Sequence, residues 1–195
     1  MLKKLLGLAI ITAFASTAVT PVIAADTPFY VGGQIGAAKL KETESGFSES
    51  FDFTTLSAVA GYSFNQYLAA EIRLGTGIRD ESFSEGGFSE KFKISQQNLL
   101  LVKGTVPVSE AFSLYGLAGF GSVKFKYEER EPGFSYSETD TVDGFSWGVG
   151  AAFNITSNWS ASLEYLQLPE ETFREGPFTL KFKTSSVNLG VNYRF

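Results

Sequence analysis

The last stretch of the chain, Val187-Asn-Leu-Gly-Val-Asn-Tyr-Arg-Phe195, restricts the fold more than any other. Val187, Leu189, Val191, Tyr193 and Phe195 alternate with Asn188, Gly190, Asn192 and Arg194. A period of two puts each set on its own face of a β-strand, one apolar and one polar or small. A soluble sandwich strand alternates too. Here, however, the apolar face turns aromatic toward Phe195. An outward apolar band that finishes in aromatic residues is the pattern of a membrane-spanning β-strand.

The chain has 195 residues, the size of one domain. Its start reads as an export signal. Lys3 and Lys4 are a basic head, Leu5 to Ala15 an apolar stretch too short to cross a bilayer, and Val22-Ile23-Ala24 a cleavage site. Residues 1–24 are therefore expected to be removed, leaving 25–195 as the folded domain. Loss of the two lysines changes the formal charge from −5 to −7. The chain has no Cys, so disulfides do not staple it. It has no His either, which removes His-based triads, His metal sites and the usual general base. The sequence calls for no cofactor. After the signal no apolar run reaches the length of a transmembrane helix.

Alternation recurs along the whole chain. In the first strand, 29–40, Val31, Gly33, Ile35 and Ala37 oppose Tyr30, Gly32, Gln34 and Gly36. In the second, Leu56, Ala58, Ala60, Tyr62 and Phe64 oppose Thr55, Ser57, Gly61 and Ser63. The third, from Tyr67 to about Ile78, sets Leu68, Ala70, Ile72 and Leu74 outward and Glu71 and Arg73 inward. The fourth, 91–106, breaks its period, and a bulge near Gln96-Gln97-Asn98 would repair it. The fifth assigns Tyr115, Leu117, Val123, Phe125 and Tyr127 to the outer face, although Phe120 disrupts the pattern. Its inner face would then hold Gly116, Ala118, Ser122, Lys124 and Lys126. The sixth is regular: Phe145, Trp147, Val149, Ala151 and Phe153 out, small residues in. The seventh turns Trp159, Ala161, Leu163 and Tyr165 outward, and the eighth ends at Phe195.

Four polar connections, Lys41–Ser50, Arg79–Glu90, Glu128–Val142 and Pro169–Pro177, are long, and those between them are short. The expected fold is all-β: an eight-stranded antiparallel up-and-down transmembrane β-barrel with external loops. Closure is required because no strand edge can face lipid. Eight strands leave room only for side chains inside.

These features resemble the small bacterial outer-membrane β-barrel family that includes the OmpA transmembrane domain and the OmpX and Ail surface proteins. The resemblance rests on Phe29-Tyr-Val-Gly-Gly33, Gly61-Tyr-Ser-Phe64, Glu71, Leu114-Tyr-Gly-Leu-Ala-Gly119, the aromatics of 145–153 and Phe195. It implies residence in the bacterial cell outer membrane, among lipid and lipopolysaccharide. It also implies that Tyr193 and Phe195 form the signal read by the barrel-assembly machinery. OmpA-like barrels carry an inner cluster of Glu, Lys and Arg, and Glu71, Lys103, Glu164 and Arg194 match it best here.

Three groups of residues are candidates for function. Glu71, Arg73, Lys103, Glu164 and Arg194 form a prospective charge network in the interior. Unpaired ions there would be costly, so they should pair, either as a plug or as the gate of a narrow pore. A four-residue cassette recurs in the loops: Glu44 with Phe47, Glu85 with Phe88, Glu131 with Phe134, Glu175 with Phe178. Gly or Pro between them suggests a turn, and exposed Phe suggests a binding rim. Finally, four Lys-apolar-Lys triplets lie near the outer strand ends: Lys39 and Lys41, Lys91 and Lys93, Lys124 and Lys126, Lys181 and Lys183. Facing out they would meet lipopolysaccharide phosphates; facing in they would meet loop glutamates. The four loops hold 15 of the 21 acids, which disfavours nucleic acid as a partner.

The leading function is a non-enzymatic outer-membrane protein that presents its loops to an extracellular ligand or host surface. A narrow small-solute channel is the alternative. Lipid-modifying barrels of the kind the resemblance brings in use a catalytic His, which is absent. A soluble carrier would need the opposite arrangement of faces.

Overall fold

The computed structural model describes residues 28–44, 47–175 and 178–195. The expected signal, 1–24, lies outside the described residues. The strands are β1 (Phe29–Glu44), β2 (Phe47–Ser63), β3 (Leu68–Arg79), β4 (Glu81–Glu85), β5 (Phe88–Pro107), β6 (Phe112–Glu131), β7 (Phe134–Asn154), β8 (Trp159–Glu175) and β9 (Phe178–Arg194). Each pairs antiparallel with its neighbours in the order β3-β2-β1-β9-β8-β7-β6-β5-β4, and β3 also pairs with β5, which closes the barrel. β3 and β4 run end to end along β5 with a break at Asp80. They make one interrupted stave, so the barrel has the eight staves expected.

The lower part of the wall follows the alternation. Ile35, Leu56, Ile72, Val149, Leu163 and Leu189 point out and are about half exposed. Gln34, Ser57, Glu71, Ser162, Glu164 and Asn188 point in and are buried. From Phe29 to Ala37 the outward ladder rises about 27 Å along the strand, and a tilt of about 40° reduces that to about 20 Å, most of the roughly 25 Å of an outer-membrane apolar band. An aromatic girdle closes the short-turn end. Phe29 meets Tyr62 at 5.0 Å, Trp159 meets Tyr193 at 4.9 Å, and Tyr193 meets Phe195 at 5.2 Å.

Above that band the structure departs from expectation. The long polar loops are strands: β1 continues to Glu44, β6 to Glu131, and β7 begins at Phe134. Their Thr, Phe and Tyr residues favour extended backbone, and two-residue turns at Gly86-Gly87 and Pro132-Gly133 join β4 to β5 and β6 to β7. Glu44, Glu85, Glu131 and Glu175 are the direct cross-strand partners of Phe47, Phe88, Phe134 and Phe178. Where its middle residues are described, at 86–87 and 132–133, the recurring cassette is thus a hairpin turn. Gly86 and Gly87, with φ of 59° and 90°, supply the left-handed backbone such a turn needs.

The wall also splits. Pairing of β7 with β8 stops at Trp147↔Gln167, and pairing of β2 with β3 stops at Thr54↔Arg79. Pro169, which has no N–H, follows the first stop, within a register shift between Gln167 and Glu170. The break at Asp80 follows the second. Two four-stranded sheets result, β8-β9-β1-β2 and β4-β5-β6-β7, facing each other beyond the membrane band.

Their facing sides are apolar. Leu40 and Phe53 from one sheet and Ile94, Val123 and Phe125 from the other are buried, with Phe51, Phe92 and Phe182 packed against them. Phe92 stacks on Phe125 at 5.8 Å and takes the edges of Phe51 and Phe53 at 5.2 and 5.5 Å. This corrects the face assignment of the fifth predicted strand. Tyr115, Leu117, Val123 and Phe125 point inward, and Leu114 and Phe120 face lipid. Phe120, which broke the expected pattern, marks the true outer face. The bulge in β5 falls between Ile94 and Gln96, just ahead of the expected place. It lets Ile94 and Leu99 share the inside while Leu100 and Val102 stay outside.

Candidate functional site

Three structures line the axis and the collar of this barrel. The first is an ion-pair network at mid-depth. β3 supplies Glu71 and Arg73, two residues apart and therefore on one face. Arg73 Nε donates to Glu71 Oε2 at 2.9 Å, and its terminal nitrogens reach Glu164 on β8 and Gln34 Oε1 on β1, the latter at 3.2 Å. Lys103 on β5 donates to Glu71 Oε1 at 3.1 Å and lies 4.2 Å from the centre of the Tyr115 ring. Tyr30 donates to Glu71 at 2.7 Å, Tyr115 to Glu164 at 3.0 Å, and Asn188 to Glu164 at 3.0 Å. Two carboxylates and two cations balance, and neutral donors satisfy the remaining lone pairs. That is the condition under which buried charge is tolerated.

The structure brings Glu71, Arg73, Lys103 and Glu164 together. It does not bring Arg194. Arg194 is exposed at the short-turn end, with no ion pair among the described residues. Period-two reading put it on the inner face, but the barrel ends before that face closes over it. Tyr30, Tyr115, Gln34 and Asn188 were missed as partners. Inner glycines mark two of these positions. A Cβ on Gly61 would sit 2.1 Å from Tyr30 Cζ, and one on Gly150 would sit 2.5 Å from Tyr115 Cζ.

The second structure is a pair of lysine collars. In each triplet the central Leu40, Phe92, Phe125 or Phe182 turns inward, so the flanking lysines turn outward, above the apolar band. The register sets Lys41 beside Lys183 and Lys93 beside Lys126, giving one collar on each sheet. Outward acids accompany them. Asp52 pairs with Lys39 at 3.3 Å and Asp80 with Lys91 at 2.8 Å. Glu128 pairs with Lys126 at 2.6 Å and Lys93 at 3.1 Å. Hydrogen bonds from Lys126 and Lys93 hold the Glu128 carboxyl down at about 2. Glu170 pairs with Lys181 at 3.0 Å and Lys183 at 3.3 Å. Burial opposes its charge, but the two ammonium groups outweigh that and keep it below the usual carboxylate range. Lys124 also lies outside, its strand position opposite Gln96 and Thr141.

The third structure is the set of hairpin tips. Phe47 is 85% exposed and Phe134 55%, and Glu44, Glu85 and Glu131 are exposed beside them. Phe88 is half-buried and lies 6.5 Å from Phe83. The side chains of Glu175 and Phe178 lie outside the described residues. Among the described residues there is no grouping of Asp and Glu fit to hold a metal ion.

A closed barrel of eight staves, apolar toward lipid and ion-paired within, defines a small β-barrel protein of the outer membrane. The chain belongs to the outer membrane protein beta-barrel domain family, whose model matches residues 6–195. It is 29% identical over 185 residues to the virulence membrane protein PagC of Salmonella typhimurium, covering 92% of this chain and 93% of PagC. Among solved structures it resembles Ail of Yersinia pestis in complex with the heparin analogue sucrose octasulfate. There the TM-score is 0.56 and the identity 21%, over 87% of this chain and all of Ail (100%). It also resembles the Neisserial surface protein A, with a TM-score of 0.57 and 14% identity, over 87% and 98% of the two chains.

Proposed function

We propose that this chain is a non-enzymatic outer-membrane protein whose barrel is closed and whose four hairpins form a surface for an extracellular ligand. The observation that carries the reading is the pair of split sheets, which stand well beyond the apolar band and end in exposed Phe47 and Phe134. Exposed aromatic residues grouped at one end of a protein mark interaction sites. That the neighbour Ail has been seen with a heparin analogue supports an extracellular ligand as the partner class. Two layers close the lumen, the ion-pair network below and the aromatic cluster above. The lysine collars sit where lipopolysaccharide phosphates lie and anchor the barrel there, and the barrel-assembly machinery reads Tyr193 and Phe195. Residues 1–24 direct export and are removed.

Replacing Phe47, Phe88, Phe134 and Phe178 together by Ser is expected to abolish attachment of expressing cells to their target surface. Attachment equal to the parent protein would remove the rim from the reading. Planar-bilayer recordings of the parent protein are expected to be silent. Steady conductance would instead make it the narrow channel.

A further inference from the structure

Above the apolar floor the two sheets sort charge by face. Direct cross-strand partners share a face, so the register assigns every position. Outward acids are matched by the lysine collars. Inward, Glu42 lies across from Glu49, Glu90 across from Glu129, and Tyr127 across from Glu138. No Lys or Arg occupies the inward positions of β1, β2, β5, β6 or β7 above Leu40, Phe53, Ile94, Phe125 and Val142. Like charges set directly opposite destabilise a sheet, and here two such pairs recur without a neutralising partner. Partial burial, then Glu49 and Glu44, push the Glu42 carboxyl up. The Tyr127 hydroxyl reaches both members of the second pair, Glu90 at 2.7 Å and Glu129 at 3.4 Å, but one neutral donor leaves both charges in place.

The walls descend to an apolar floor. On β2 exposure falls from 85% at Phe47 to 3% at Phe53, and on β6 from half-buried Glu129 to 6% at Phe125. Among the described residues, β7 does not pair with β8, nor β2 with β4, above the membrane band. The two faces therefore bound a cleft without ladder pairing along either seam, with acids at its lip and aromatic rings at its base, where Asp52 N–H donates to Glu81 Oε1 at 3.4 Å across the β2/β4 seam.

We propose that this cleft binds an extended cationic peptide segment in which Lys or Arg alternates with apolar residues. An extended chain sends successive side chains to opposite sides, so its cations meet the glutamate pairs and its apolar residues meet Phe51 and Phe92. A cation between Glu42 and Glu49, or between Glu90 and Glu129, replaces repulsion with attraction. With the lysines turned outward in the collars, no Lys or Arg of β1, β2, β5, β6 or β7 competes with it in the cleft. The proposal deepens the interaction role above and rests on the hairpins standing outside the cell.

The test uses the full mature chain in nanodiscs of neutral phosphatidylcholine, with a fluorescent peptide alternating Lys and Leu as the probe. Saturable binding above that of empty discs is expected, weakening as salt is raised. Glu42→Gln, Glu49→Gln, Glu90→Gln and Glu129→Gln combined should weaken it at least about tenfold, a change of about 1.4 kcal/mol. The outer-wall pair Asp52→Asn and Glu128→Gln should leave it unchanged. Equal binding by the inner variant, equal weakening by the outer one, or equal binding of an acidic peptide overturns the proposal. Spermidine that binds as tightly as the peptide also overturns it, because the site would then take any small polycation. Heat-dependent mobility in SDS confirms folding, and Glu90→Gln with Glu129→Gln alone serves if the fourfold variant does not fold. Protease cleavage of the hairpins on intact cells tests their sidedness separately. Failure there removes the external reading while leaving binding in discs as measured.

Discussion

At the level of Leu189 the wall is apolar outside and polar inside; at the level of Leu40 it is apolar inside and charged outside. The same strands run through both levels. On β1, Ile35 faces out and Leu40 faces in along a regular backbone, so the apolar residues change parity between them. On β9, Leu189 and Val187 face out while Phe182 joins the inner cluster. On β5 the same exchange is made by a bulge between Ile94 and Gln96. The solvent outside each level decides which face is apolar. Acyl chains select greasy exteriors and leave the lumen to ion pairs. Water selects charged exteriors and drives rings together between the sheets. The lower half is a membrane barrel, and the upper half is built like a soluble sandwich.

The strongest way to break this comparison is at the lower core. Arg73→Met leaves Glu71 and Glu164 buried without their shared cation. Removing one partner of such a buried pair costs about 3–5 kcal/mol. Urea unfolding in lipid vesicles is expected to show a loss of that size for the whole barrel. Arg73→Lys should lose less, because charge is kept while the two-armed geometry is not. A loss near zero for Arg73→Met would mean that water reaches the network and that the lumen is not closed.

The upper core should respond differently. Phe53→Ala removes a ring packed against Phe92 and Phe125, and a core Phe→Ala change costs about 3–5 kcal/mol. The cost is expected to fall on the hairpins alone. Hydrogen exchange should quicken in β1, β2, β5 and β6 beyond the membrane band, while heat-dependent mobility in SDS stays that of the parent. Loss of the SDS-resistant form would show one cooperative unit instead of two.

The sequence made the lower half legible because one rule, period two with apolar residues outward, holds there on nearly every strand. It located Glu71, Arg73 and Glu164, whose parity is unambiguous, and included Lys103 despite the broken period around it. It misread β6 along its whole length: Tyr115 and Leu117 turn inward within the membrane band, and Val123 and Phe125 do so above it, where the solvent changes. Val123 and Phe125 are as alternating as Val149 and Trp147, and periodicity does not say which side is wet. The Lys-apolar-Lys triplets held that information. Lysines on one face put Leu40, Phe92, Phe125 and Phe182 on the other, and four greasy residues set opposite charged ones belong to an interior. Polar composition made β1 beyond Lys41 and the start of β7 look like loops, since Ser, Thr and Glu serve an exposed strand as well as a loop. The splitting of the wall is visible only in the register.

The smallest effect separates ion pairs in the two regions. Glu128 on the outer collar is held at about 2 by hydrogen bonds from Lys126 and Lys93, against an ordinary value of 4.5. A carboxyl lowered in the folded state contributes stability above its ordinary value and loses it as pH falls toward the lowered one. For Glu128 the window is therefore pH 4.5 down to about 2. The contribution itself is small, because the collar lies in water and salt screens it. Lys93→Met with Lys126→Met is expected to move the Glu128 titration up toward 4.5, read by carboxyl-carbon NMR. The unfolding midpoint of the barrel should not change measurably. Raising salt to about 1 M, where screening acts within about 3 Å, should move the parent titration the same way. The Arg73 network lies out of reach of salt, so the loss caused by Arg73→Met should be the same at low and high salt. A titration unmoved in the double lysine variant would show that these lysines do not hold Glu128, and the collar would then be a set of neighbours without coupling.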